Sequence, residues 1–259
     1  MPALTQRREL FSGAALLGAA MMASAPAMAE PAADLVPNGA SSLADLTARL
    51  ARAPRRRDFK TVPMILNDRS QWDSEALDEV LAYKPATKQA WDVTDIGGPW
   101  LNAMRNSLNV QIWSFGHKDF LVVCETHGTA QLALYDQAMW DKYGLAKLAG
   151  SGFARNTLIE EKTVAASDPA DYENPTGIFS AMNNSIPALQ RRGVVFMSCH
   201  NAIWEQATKL AATGPNLGGT DVATIAADLT NHLIPGVVLT PGAVATLPEL
   251  QRKGFAYAR

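Results

Sequence analysis

The chain has 259 residues, 25 acidic and 23 basic, for a net charge of −2 at neutral pH. That balance argues against a nucleic-acid partner, because a phosphate-binding surface shows as a basic excess. The length suits one decorated domain or two small ones, and beyond the N-terminal stretch no segment is long and apolar enough to cross a membrane.

Residues 1–29 read as a cleavable export signal. Arg7 and Arg8 form a basic start, Leu10 to Ala25 is a weakly apolar run, and Ala27-Met28-Ala29 sets small residues where a signal peptidase needs them. The Arg pair followed by Glu9, Leu10 and Phe11 resembles the twin-arginine export motif, which implies a periplasmic destination and transport of a folded chain. The competing reading is a membrane anchor. The stretch is too short and too rich in Gly and Ala for that, since a span needs about 20 strongly apolar residues. No stable membrane insertion is expected after cleavage. Loss of Arg7, Arg8 and Glu9 with the signal leaves 21 basic and 24 acidic residues, a net charge of −3.

Residues 30–85 are expected to form an N-terminal extension and linker. Residues 30–42 are rich in Pro, Ala and Ser. Leu43 to Leu50 has a helical pattern, and the run Arg52, Arg55, Arg56, Arg57 reads as a solvated linker. Ser74 opens a capped amphipathic helix to Leu81. From about residue 86 to the end, strands and helices alternate. Strands are expected at Gln89–Val93, Phe120–Cys124, Val194–Met197, Val237–Thr240 and Phe255–Ala258. Helices are expected at Pro99–Trp113, Thr129–Lys142, Ile178–Arg191, Asn201–Ala212, Asp221–Leu233 and Ala243–Lys253. The run Phe120-Leu121-Val122-Val123-Cys124 is continuously apolar, as a strand buried on both faces must be. Alternation of this kind implies right-handed βαβ units and a mainly parallel sheet.

Three stretches carry a resemblance. The first is Ala90-Trp91-Asp92-Val93 with a helix containing Asn106-Ser107-Leu108-Asn109. The second is Phe120-Leu121-Val122-Val123 leading to His127-Gly128. The third runs from Gly193 to Cys199, then Pro235-Gly236-Val237 to Val244, then Leu250-Gln251-Arg252-Lys253-Gly254-Phe255-Ala256-Tyr257. Together they are similar to the DsrE/DsrF-like family of sulfur-handling proteins, over about residues 88–259. The resemblance implies an α/β fold with three layers: a mostly parallel five-stranded sheet with helices on both faces, in a DsrE-like, flavodoxin-like arrangement. It also implies a homo-oligomer, a trimer or a multiple of one, and sulfur carried as a persulfide on the cysteine matching Cys199. The chain departs from small members in its export signal, its extension, and its long segments at 143–176 and 211–232.

Cys199 follows a strand and precedes a helix, where free N–H groups and the helix dipole favour a thiolate. It is the expected catalytic residue, with His127, in the loop that follows Cys124, as a second. Cys124, Gly128, His200 and Asn201, at the same strand ends, are the expected ligand-binding residues. Glu125 and Asp92 are strand-end carboxylates able to polarise such a site. With a strand order 2-1-3-4-5, the strands ending in Cys124 and Cys199 would flank the first strand and lie roughly 9–10 Å apart. That exceeds the about 7 Å that a disulfide spans between Cα atoms, so no bridge is expected. The dipole is expected to pull the Cys199 thiol below about 8.5. Expected partners are small sulfur species or a partner thiol protein. No nucleotide loop, GxSxG or HExxH occurs, and no cofactor is implied. Two alternatives stand beside this: a non-catalytic oligomeric ligand-binding protein with its site at the same sheet edge, and a soft-metal site built from Cys124, His127, Cys199 and His200.

Overall fold

The computed structural model describes residues 34–150, 152–162, 168, 170–213 and 219–259. The export signal expected at 1–29 lies outside the described residues. Among those described, no helix is long and apolar enough to cross a membrane.

Five strands form one all-parallel sheet: β1 (Lys88–Val93), β2 (Leu121–Thr126), β3 (Val195–Cys199), β4 (Val238–Thr240) and β5 (Ala256–Ala258). All six residues of β2 and all five of β3 are buried, as their continuous apolar runs require when both faces are covered. The strand order is β4-β3-β2-β1-β5, which corrects the expected 2-1-3-4-5. β1, β2, β3 and β4 are laid down successively in one direction, and the chain then returns across the sheet to place β5 beside β1. Because βαβ crossovers are right-handed, a reversal of direction moves the connecting helix to the other face. The helices following β1, β2 and β3 lie on one face: α3 (Trp100–Asn109, continued by a π-helical turn at Val110–Ser114), α4 (Gln137–Tyr143), α5 (Ala146–Ala149), α6 (Ile186–Arg191), α7 (His200–Thr213) and α8 (Val222–Asn231). Leu101, Met104, Met139, Leu189, Ile203 and Ile225 from these helices pack against Val122, Cys124 and Phe196 of the sheet. Only α9 (Ala243–Arg252), after β4, crosses the other face.

One crossover helix cannot cover that second face. The remainder is covered by α1 (Ser41–Arg52) and α2 (Ser74–Leu81) from the N-terminal extension. Leu43, Leu46 and Leu50 of α1 and Ala76 and Val80 of α2 pack with Leu121, Val123, Val195, Met197 and Val238 of the sheet. The basic run is correspondingly not a solvated linker throughout. Arg57 Nη2 lies 3.0 Å from Asp73 Oδ2 and donates to the Val237 carbonyl at 2.9 Å, and Arg56 pairs with Glu75.

Two expected helices are shorter than their patterns. Thr129–Lys142 is a 3-10 segment (Ala130–Leu134) followed by α4, because Tyr135 is extended and Asp136 accepts the Met139 N–H as an N-cap. Ile178–Arg191 is helical only from Ile186, where Ser185 caps the helix and Pro187 occupies the first turn, the place where a missing N–H costs least.

Candidate functional site

In an open parallel sheet, ligands bind beyond the carboxyl ends of the strands, at the point where neighbouring connections leave to opposite faces. Here that point lies between β3, whose chain continues into α7 on one face, and β4, whose chain continues into α9 on the other. Cys199 is the last residue of β3. Its Sγ accepts the backbone N–H of Ala202, in the first turn of α7, at 3.4 Å, and that of Ala243, the first residue of α9, at 3.2 Å. Two helix N-termini from opposite layers converge on one sulfur, and both present unpaired N–H groups and positive dipole ends.

The strand end is held from below. Gln131 Oε1 accepts the Cys199 N–H at 3.1 Å, and Gln131 Nε2 donates to Ser198 Oγ at 2.8 Å. Asn201 closes the side: a Cβ on Gly242 would stand 2.7 Å from Asn201 Nδ2, so a larger residue there would displace the Asn201 side chain. Cys199 is only 4% exposed. Burial pushes its thiol above the ordinary value, and the N–H groups of Ala243, Ala202 and Asn201 offset only part of this. The expected lowering is therefore corrected: the dipoles act as foreseen, but desolvation outweighs them.

Glu125 projects to the same sheet face from β2 and is fully buried. Its Oε2 accepts from Thr240 Oγ1 at 3.4 Å, and its Oε1 has no partner. Burial, with a smaller contribution from the charge of Asp92, pushes its carboxyl up to about 8, so it is protonated at neutral pH. Farther along the same edge, His127 Nε2 lies 2.6 Å from Asp92 Oδ1, and Tyr257 Oη donates to Asp92 Oδ2 at 2.7 Å. Burial works upward on the Asp92 carboxyl, but the hydrogen bonds from Tyr257 and His127 outweigh it and hold it below the usual value. Asp92 also borders a cleft of about 200 Å³ at the ends of β1 and β5, lined by Trp91, Thr94, Asp95, Trp100 and Arg259.

The other expected ligand residues are not gathered around Cys199. Cys124 is fully buried on the opposite sheet face, within the apolar cluster of Phe196 and Val122, and burial raises its thiol well above the ordinary value. Cys124 pairs in register with Phe196, three residues before Cys199 on the adjacent strand. At about 3.3 Å per residue that offset alone exceeds the reach of a disulfide. Both cysteines are free, for this reason rather than through an intervening strand. His200 turns away and lies 2.8 Å from the Pro63 carbonyl through Nε2, which must carry the proton because a carbonyl only accepts. Burial lowers its pKa. Gly128 serves the backbone: at φ +57° it lets the loop after β2 pass so close to β1 that a Cβ would lie 2.6 Å from the Thr94 carbonyl. Among the described residues, no three or more His, Cys, Asp or Glu side chains are grouped to hold a metal ion, so the four-residue soft-metal set is dispersed.

Residue-by-residue reading missed Tyr257, Thr240, Gln131 and the Ala243 N–H. The signals available were the stretches Val237–Val244 and Leu250–Tyr257, which carry Thr240, Ala243 and Tyr257 but gave none of them a role at the site. No family model matches the chain, and no curated protein or solved structure matches it at a significant level.

Proposed function

We propose that this chain is a periplasmic thiol protein that carries a sulfane sulfur on Cys199, taking it from a donor persulfide and passing it to an acceptor thiol. The observation that carries the reading is the convergence of the Ala202 and Ala243 N–H groups on Cys199 Sγ at the β3–β4 switch point. Such donors stabilise the anionic sulfur that a sulfur nucleophile and leaving group needs, and offset part of the desolvation that raises the thiol. The resemblance of residues 88–259 to the DsrE/DsrF-like family supports the same role for Cys199, as the twin-arginine pattern at Arg7–Arg8 supports the location.

The transfer balances without an oxidant. Cys199 loses its proton and attacks the outer sulfur of a donor R–S–SH. One S–S bond forms as the donor's S–S bond breaks, and the departing R–S⁻ takes up a proton equivalent to the one Cys199 released. An acceptor thiolate reverses the step. The reading includes a homo-oligomer, a trimer or a multiple of one, on the resemblance of residues 88–259 to the same family.

The cleft bordered by Asp92 favours a second reading, a ligand-binding protein without transfer chemistry, with its ligand two strands from Cys199. The intact mass of protein purified from the periplasm and exposed to a polysulfide decides between them. The expected result is a chain that begins at Glu30 and is heavier by one sulfur atom, with the gain absent in Cys199→Ser. No sulfur gain, or a gain that survives in Cys199→Ser, overturns the reading.

A further inference from the structure

Far from Cys199, on the layer formed by α3 and α6, two arginines are buried side by side. Arg192, just after α6, is 2% exposed, and Arg105 on α3 is 9% exposed. Arg105 is satisfied by neutral acceptors: Nε on Asn184 at 2.9 Å, Nη1 on the Phe179 carbonyl at 3.2 Å, Nη2 on Asn102 at 2.8 Å. Arg192 makes one such bond, from Nη2 to Asn109 Oδ1 at 2.8 Å, while its Nε and Nη1 are buried with no protein partner. Its guanidinium lies 4.9 Å from the centroid of Phe179 and 5.5 Å from that of Trp113. No carboxylate forms an ion pair with either arginine among the described residues.

Fully buried arginines occur with a counter-charge, because an isolated buried ion loses its hydration without compensation. Ring faces compensate weakly, and the charge of Arg105 makes matters worse. Burial, with that charge, brings the Arg192 guanidinium down only to about 9, so it stays cationic at neutral pH. Two like charges, a planar fork with two free N–H edges, and aromatic walls are what recognise a small oxyanion. We propose that Arg192, assisted by Arg105, binds a small free oxyanion, a carboxylate or a tetrahedral anion, beneath the segment 177–184. That segment supplies Phe179 and Asn184 and buries Ile178 and Asn183, so the proposal requires it to open when the anion enters. The site is separate from Cys199 and does not depend on the sulfur-transfer reading.

The test is thermal unfolding of the mature chain in millimolar sulfate, phosphate or succinate against chloride at equal ionic strength. The wild type is expected to gain about 2 °C or more with at least one of them, and Arg192→Met to gain nothing. Equal melting in all four salts, or the same gain in Arg192→Met, overturns the proposal. Should Arg192→Met fail to fold, deuterium exchange of the wild type decides. Slowing of the amides at 177–184 by these anions supports the site, and unchanged exchange overturns it.

Discussion

Glu125 shows how burial rewrites a side chain. An acid whose carboxyl sits near 4.5 in the unfolded chain and about 8 in the folded one binds its proton more tightly when folded. Stability is then unaffected below 4.5 and falls as pH rises through the window from 4.5 to about 8, by on the order of a few kcal/mol. Glu125→Gln keeps the shape and the Thr240 contact but cannot ionise, so its stability should decline less over that window. Denaturant unfolding at pH 5 and pH 8 checks this, and parallel declines in both proteins would refute it. The same residue acts on the thiol, since a Glu125 anion raises Cys199 further. As a residue type at a strand end, Glu125 was legible in the sequence as a polarising carboxylate. Its neutral state was not, because that depends on the layers that exclude water.

Asp73 ties two elements together. It immediately precedes α2, is fully buried, and accepts from the Leu239 N–H at 2.7 Å, the Arg56 N–H at 2.8 Å and Arg57. Its own N–H donates to the Leu239 carbonyl at 3.1 Å, so the start of α2 docks on β4 through both backbone and side chain. Asp73→Ala removes the counter-charge of Arg57, which keeps its bond to the Val237 carbonyl, and leaves the Arg56 and Leu239 amides without their acceptor, so it should destabilise the fold by about 3 kcal/mol. Urea unfolding would show a lower midpoint with an unchanged slope; a change within about 0.5 kcal/mol would place Asp73 among ordinary surface residues. The pattern of α2 was legible in its apolar spacing, and Ser74 marked its start. That its anchor is the residue before it, bonded to a strand 166 residues away, has no local signal.

At the scale of the molecule, the N-terminal extension is part of the core. Leu43 and Leu46 are fully buried against the sheet face that α9 alone cannot cover. A chain cut to residues 86–259 should therefore expose that face, bind a hydrophobic dye and precipitate, whereas the chain from Glu30 should not. A monodisperse truncated chain with native circular dichroism would show that α1 and α2 are dispensable. By itself the sequence determined the alternation of strands and helices, the parallel sheet, and the placing of Cys199 and Glu125 at strand ends, because side-chain periodicity and caps act over a few residues. Strand order, the face each helix takes, and the opposite orientations of Cys124 and Cys199 came only with the tertiary structure. The same local patterns fit 2-1-3-4-5 and 4-3-2-1-5 equally well. What selects between them is the burial of apolar surface shared by segments far apart in the chain, which no local pattern records.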